Sequence, residues 1–301
     1  MNGRVSTVAT PPGLPCTVVD VSVHLRGHTG VALYKYRPSV GARAVPWTAS
    51  TLLDAMDRAG VARVGLIASV SAFGVGGHVD PIDVDAVQEV VEATGGRAFG
   101  IVGIDPTSGL ETLRRMQYAV GELGFKGVHC YPHWWGIDID DRRYYPIYGK
   151  CAELGVPLAL QVGSPTPRSG AKLCGRPFLI DQIAFDFPEL KLAGTHIGRP
   201  WVDEMLMMCN NHENVYMVAD GYSPATWERA ILDYLLDPLG KKIEPSRKVI
   251  WSTDWPIQTF EPSLVEVAEL GLPEEILVRL IRQNATDVYE LGDDPVASSE
   301  P

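Results

Sequence analysis

Eight short runs rich in β-branched residues, each followed by a stretch whose apolar positions recur at helical spacing, constrain this chain more than any other feature. The runs are 16–23 (CTVVDVSV), 62–69 (ARVGLIAS), 97–104 (RAFGIVGI), 126–131 (KGVHCY), 157–162 (PLALQV), 190–196 (LKLAGTH), 214–219 (NVYMVA) and 248–253 (KVIWST). Between them, 50–59, 83–94, 108–123, 141–154, 178–186, 201–212 and 224–236 carry apolar residues three and four apart, and 262–290 closes the chain. Alternating strands and helices imply a parallel sheet covered by helices, and eight strands close a barrel. The expected fold is α/β: a single-domain (β/α)8 TIM barrel over 16–291, with flexible ends at 1–15 and 292–301. A doubly wound sheet is the rival, but no GxGxxG follows a strand to open a nucleotide-binding helix.

Charge narrows the partners. The 301 residues hold 37 acidic and 26 basic side chains, a formal net charge of -11, and no Lys/Arg-rich block of the kind that binds nucleic acid. No run approaches the roughly 18 apolar residues of a membrane span, and the first 16 residues lack a signal-peptide pattern. A cytoplasmic protein with a small-molecule substrate, no nucleic acid and no membrane partner is expected. The five cysteines form no CxxC pair, which argues against a thiolate zinc site or a disulfide framework. The long connection from Leu25 to Ala49 is read as a lid or substrate wall over one end of the barrel.

In such a barrel, chemistry gathers where strands end on the C-terminal face. Strand ends here carry Ser22 and His24, then His129, Tyr131 and His133, then Gln161, His196, Asp220 and Asp254. His24, His196 and Asp254 should converge from the first, sixth and eighth strands. Two imidazoles beside a carboxylate can share a metal ion, or the carboxylate can orient one imidazole as an acid/base pair.

The blocks VVDVSVHL, GFKGVHCYP, VPLALQVGS, LKLAGTHIGRPWVDE, HENVYMVADG and VIWSTDWPI, in this order over residues 17–291, resemble the amidohydrolase-2 family, which includes aminocarboxymuconate-semialdehyde decarboxylase, benzoate decarboxylases and lactone or amide hydrolases. The resemblance implies one zinc or manganese bound by a His-x-His on the first strand, a histidine on the fifth and an aspartate on the eighth, with a sixth-strand histidine handling a proton. His24 matches the second histidine of the pair, His196 the sixth-strand histidine and Asp254 the aspartate. Ser22 stands in place of the first histidine, and Gln161 with Ser164 where the fifth-strand ligand is expected. Serine and glutamine are weak neutral oxygen donors beside imidazole, so the expectation is an enzyme without a cofactor. If zinc or manganese binds, His24, His196 and Asp254 are its ligands, or His129 or His133 completes the set.

The expected mechanism pairs Asp254 with His24 or His196 as acid and base. Arg199, Arg26 and Lys126 are the cations nearest in sequence to take over an ion's electrophilic task. Tyr131, His133, Trp134, Gln161, Trp201 and Tyr222, with Arg199 and Arg26, are the expected substrate-binding residues for a small planar or cyclic acid. The first reading is a metal-independent or weakly metal-assisted hydrolase of a lactone, amide or similar bond. The alternatives are a lyase (decarboxylase, dehydratase or cyclase) using the same residues, and a barrel that binds without catalysing. By resemblance a homodimer is expected.

Overall fold

The computed structural model describes residues 8–24, 48–70, 82–163, 174–237, 243–255 and 257–292. The connection 25–47, including Arg26, and Ser164 lie outside the described residues, as does the tail from 293.

The eight expected strands all form: β1 Val18–Val23, β2 Val61–Ala68, β3 Ala98–Gly103, β4 Gly127–Cys130, β5 Leu158–Gln161, β6 Leu192–Thr195, β7 Val215–Ala219 and β8 Val249–Trp251. Each pairs in parallel with the next, in the order β1 to β8. This is the (β/α)8 barrel. Helices α1 Ala49–Ala59, α2 Val84–Ala93, α3 Leu110–Met116, α4 Pro132–Trp135, α5 Tyr145–Leu154, α6 Ile180–Asp186, α7 Val202–Asn211, α8 Arg229–Leu235, α9 Phe260–Ala268, α10 Glu274–Val278 and α11 Asn284–Tyr289 connect or follow the strands. Their ends obey local chemistry. Thr48 and Thr51 form a capping box at the start of α1, and Gly60 ends it in the left-handed conformation.

Alternation along the strands divides the core in two. Val19, Val21, Ile67, Phe99, Ile101, Ala193, Val218 and Ile250 fill the barrel interior, which Tyr289 closes from α11. Leu66, Val102, Val128, Cys130, Leu160, Leu192 and Met217 face outward to the helices. Within residues 8–15, part of the segment expected to be flexible, Val8 and Leu14 are buried.

The seam between β8 and β1 closes through side chains more than through a backbone ladder. Among the described residues, Val23 and Trp255 form the one bridge there. Trp255 N–H donates to Ser22 O at 2.9 Å, and His24 N–H donates to Trp255 O at 3.0 Å. Below them the buried Asp20 carboxylate accepts from Ser252 Oγ, from Thr253 N–H at 3.2 Å, from Thr253 Oγ at 2.6 Å and from Ser22 N–H at 3.0 Å. Burial pushes the Asp20 pKa up to about 6 against the pull of these bonds. The seam thereby brings the chain just before Asp254 against the chain just before His24.

Candidate active site

At the C-terminal mouth, His24, Tyr131 and Asp254 meet. His24 is 2% exposed; its Nε2 lies 3.0 Å from Asp254 Oδ1 and 2.9 Å from the Tyr131 hydroxyl, while its Nδ1 lies 3.1 Å from Ser69 Oγ. A single ring nitrogen therefore faces both a carboxylate and a phenol. With its proton on Nε2, His24 donates to Asp254 and accepts from Ser69. With the proton on Nδ1, it donates to Ser69 and accepts from Tyr131. Nε2 can thus take a proton from the Tyr131 hydroxyl and pass it to the Asp254 carboxylate, or the reverse, as a general acid/base relay requires.

His196 faces this group from β6. Its Nδ1 stands 3.1 Å from Asp220 Oδ1, out of line for a hydrogen bond and so an ionic contact, while its backbone N–H donates to the same oxygen at 2.6 Å. Burial is the largest single influence on this imidazole and pushes its pKa down. The carboxylates of Asp220 and Asp254 together outweigh it and raise the pKa to about 9. Asp220 mirrors this: burial pushes it up, but the facing imidazolium holds it below the usual carboxylate value. The mouth thus holds a fixed cation within a net-acidic protein.

Backbone strain marks the same place. Among the described residues, four non-glycine residues have positive φ, and three are His196 (62°), Ile197 (52°) and Asp254 (52°) at the ends of β6 and β8. Each costs about 1–3 kcal/mol and persists only where surrounding contacts enforce it. Gly221 (φ 71°) lets these two side chains meet: a Cβ there would stand 2.8 Å from His196 Nδ1 and 3.4 Å from Asp254 Oδ2.

From β4, the His129 ring packs edge-on to Tyr131 with centroids 4.1 Å apart, and Trp134 covers the other side of Tyr131 at 4.0 Å. Burial holds the His129 pKa well below its usual value. His133 reaches Gln161 at 3.2 Å through Nδ1 and Gly163 O at 3.1 Å through Nε2. Burial also lowers its pKa. A neutral ring that donates to Gly163 through Nε2 accepts at Nδ1, which turns the Gln161 amide NH2 toward it.

The remaining expected residues are placed differently. Lys126 precedes β4, at the end of the barrel opposite the mouth, and is exposed; its role there is excluded because a strand's first residue points away from the C-terminal face. Arg199 donates to Glu228 Oε1 at 2.6 Å and to Thr226 O at 3.0 Å, with its guanidinium 4.8 Å from the Tyr222 ring. Both Arg199 and Tyr222 are thereby tied to the β6 and β7 loops. Trp201 caps α7 beneath the Arg176 guanidinium, 5.6 Å away. Two residues given no role from sequence, Asp220 and Ser69, hold His196 and His24. The available signal was position alone, each lying just past a strand end.

The donor set does not fit the ion implied by the resemblance. Among the described residues no group of three or more His, Cys, Asp or Glu is arranged to hold a metal. Ser22 offers a hydroxyl where an imidazole is needed, Gln161 is drawn to His133, and His24 Nε2 is shared by Tyr131 and Asp254. No helix among these residues is long and apolar enough to cross a membrane.

Three solved structures show how this fold is used elsewhere. An uncharacterised TIM-barrel protein from Bordetella bronchiseptica is 18% identical, with TM-score 0.70, covering 91% of this chain and 99% of its own. The 2,6-dihydroxybenzoate decarboxylase from Rhizobium is 17% identical, with TM-score 0.70, over 92% of this chain and 100% of its own. A dihydroxybenzoic acid decarboxylase from Polaromonas, solved with manganese and the inhibitor 2-nitroresorcinol, is 15% identical, with TM-score 0.69, over 92% of this chain and 98% of its own. No curated protein sequence matches. The amidohydrolase family model (Amidohydro_2) matches residues 42–291, and this chain, with its histidines and aspartates drawn to one mouth of a (β/α)8 barrel, belongs to that family.

Proposed function

We propose that this protein is a lyase that decarboxylates a small hydroxylated aromatic acid, moving protons through its own side chains. The observation that carries the reading is His24 Nε2 poised at 3.0 Å from Asp254 and 2.9 Å from Tyr131 beside the imidazolium of His196. In this mechanism His196 binds the carboxylate, and the His24 relay delivers a proton through Asp254 or Tyr131 to the ring carbon that bears it. Tyr131 and Trp134 form the wall on which a planar ring rests.

Similarity to decarboxylases acting on 2,6-dihydroxybenzoate and 5-carboxyvanillate supports this over the hydrolytic expectation. Chemistry does too. Hydrolysis asks for an activated water and cationic donors to an oxyanion, and the Arg199 guanidinium expected for that task is engaged by Glu228. Two similar decarboxylase structures hold bound manganese; here no step passes through a metal.

Incubation with a panel of hydroxybenzoates in deuterium oxide tests the reading. Carbon dioxide release with one deuterium placed on the ring is expected, persisting in chelator and falling at least about a hundredfold in Asp254→Asn. Turnover of lactones or amides without carbon dioxide from any benzoate would defeat it.

A further inference from the structure

Along β4, residues 127, 129 and 131 face the barrel interior. A Cβ on Gly127 would strike the Tyr289 ring at 2.8 Å, whereas Val128 and Cys130 pack outward. His129 consequently stands inside the mouth, 3% exposed, its ring 84° to that of His24 with centroids 6.1 Å apart. Its in-register neighbours on β3 and β5 are Gly103 and Ala159, so no large side chain flanks it.

The other imidazoles of the mouth face polar groups: His24 lies against Ser69, Tyr131 and Asp254, His133 against Gln161 and Gly163, and His196 is in ionic contact with Asp220. Among the described residues, neither ring nitrogen of His129 has a hydrogen-bond partner; its contacts are with the rings of His24 and Tyr131. A hydroxyl of a ring resting against Tyr131 would meet an imidazole that has no competing partner among the described residues.

We propose that His129 is a further catalytic residue, the imidazole that takes the ring-hydroxyl proton of the aromatic acid during decarboxylation; this rests on the lyase reading above. As the relay delivers its proton to the carboxylate-bearing carbon, the hydroxyl proton passes to His129 and the ring becomes a cyclohexadienone. The bond to the carboxylate then breaks, carbon dioxide leaves, and the electron pair restores the aromatic ring with a phenolate oxygen. His129 returns its proton to that oxygen, and the relay is reloaded from water.

The test uses the full-length protein with nitrogen-15 in its seven histidines, assigned through single substitutions, and 2-nitroresorcinol as the probe. On saturation, the ring nitrogens of His129 should shift to hydrogen-bonded positions together with changes at His24 and His196. His129→Phe should weaken the probe about tenfold, the effect of one lost hydrogen bond. Movement of His24 and His196 with His129 unmoved, and unaltered affinity in His129→Phe, overturns this inference alone. No movement at any of the three overturns the lyase reading with it. Should His129→Phe fail to fold, the spectra of the unsubstituted protein decide between these outcomes.

Discussion

Asp220→Asn removes the charge beside His196 while leaving an oxygen to accept the His196 backbone N–H, now made at 2.6 Å. The left-handed turn at the end of β6 should therefore survive, and the substitution isolates one electrostatic interaction. His196 is raised from 6.5 to about 9, a difference worth about 3 kcal/mol at ~1.36 kcal/mol per pKa unit. A histidine raised in the folded state contributes this stability in full below pH 6.5 and loses it as pH rises through 9. Asp220, lowered from 3.8, is the other half of the same pair; its contribution is present above pH 3.8 and disappears in more acidic solution. The difference in unfolding free energy between the native protein and Asp220→Asn should thus be greatest between pH 3.8 and 6.5 and shrink toward pH 9. Urea unfolding across that range measures it, and an imidazole proton titration followed by NMR should show His196 falling to 6.5 or below, since burial then acts against Asp254 alone. The effect of Asp20 cancels because both proteins contain it. A stability difference that stays constant with pH, or a native His196 that titrates near 6.5, would refute the reasoning.

Tyr131→Phe keeps the ring packed against His129 and Trp134 but deletes the hydroxyl on His24; turnover should fall about a hundredfold with little change in unfolding temperature, and an unchanged rate removes Tyr131 from the proton path. Gly221→Ala should destabilise by about 1–3 kcal/mol from its positive φ, and the added methyl should displace His196 from Asp254, visible as a shifted His196 titration; a neutral result contradicts the close approach. Ser22→His with Gln161→His restores imidazoles at both departed positions. Calorimetry should find manganese bound by the double variant more tightly than by the native chain, and equal affinity means the surrounding geometry has also moved.

The strands were legible because barrel strands buried on both faces read as continuous β-branched runs, and the position of each end followed. Where a run outlasted its strand, side-chain chemistry intervened: β8 stops at Trp251 although the pattern reaches Thr253, and the Thr253 backbone N–H goes to the Asp20 carboxylate instead of to β7. His24 and Asp254 were legible from their positions at strand ends, and they do converge. Asp220 and Ser69 were not assigned because their roles depend on which imidazole lies across the mouth, which spacing does not encode. Arg199 shows the converse failure. Three residues from His196 in sequence, it follows a turn in which His196, Ile197 and Gly198 all have positive φ, and it ends at Glu228.

The side-chain latch of Asp20 on Ser252 joins positions 232 residues apart. Ribosomal synthesis delivers β1 first and β8 last, so the early strand must wait, with a carboxylate lacking three of its four donors, until nearly the whole chain has emerged. A prematurely terminated product would possess His24 but neither its carboxylate partner nor the closure that presents it, and catalytic competence should therefore arrive in a single event with the final strand.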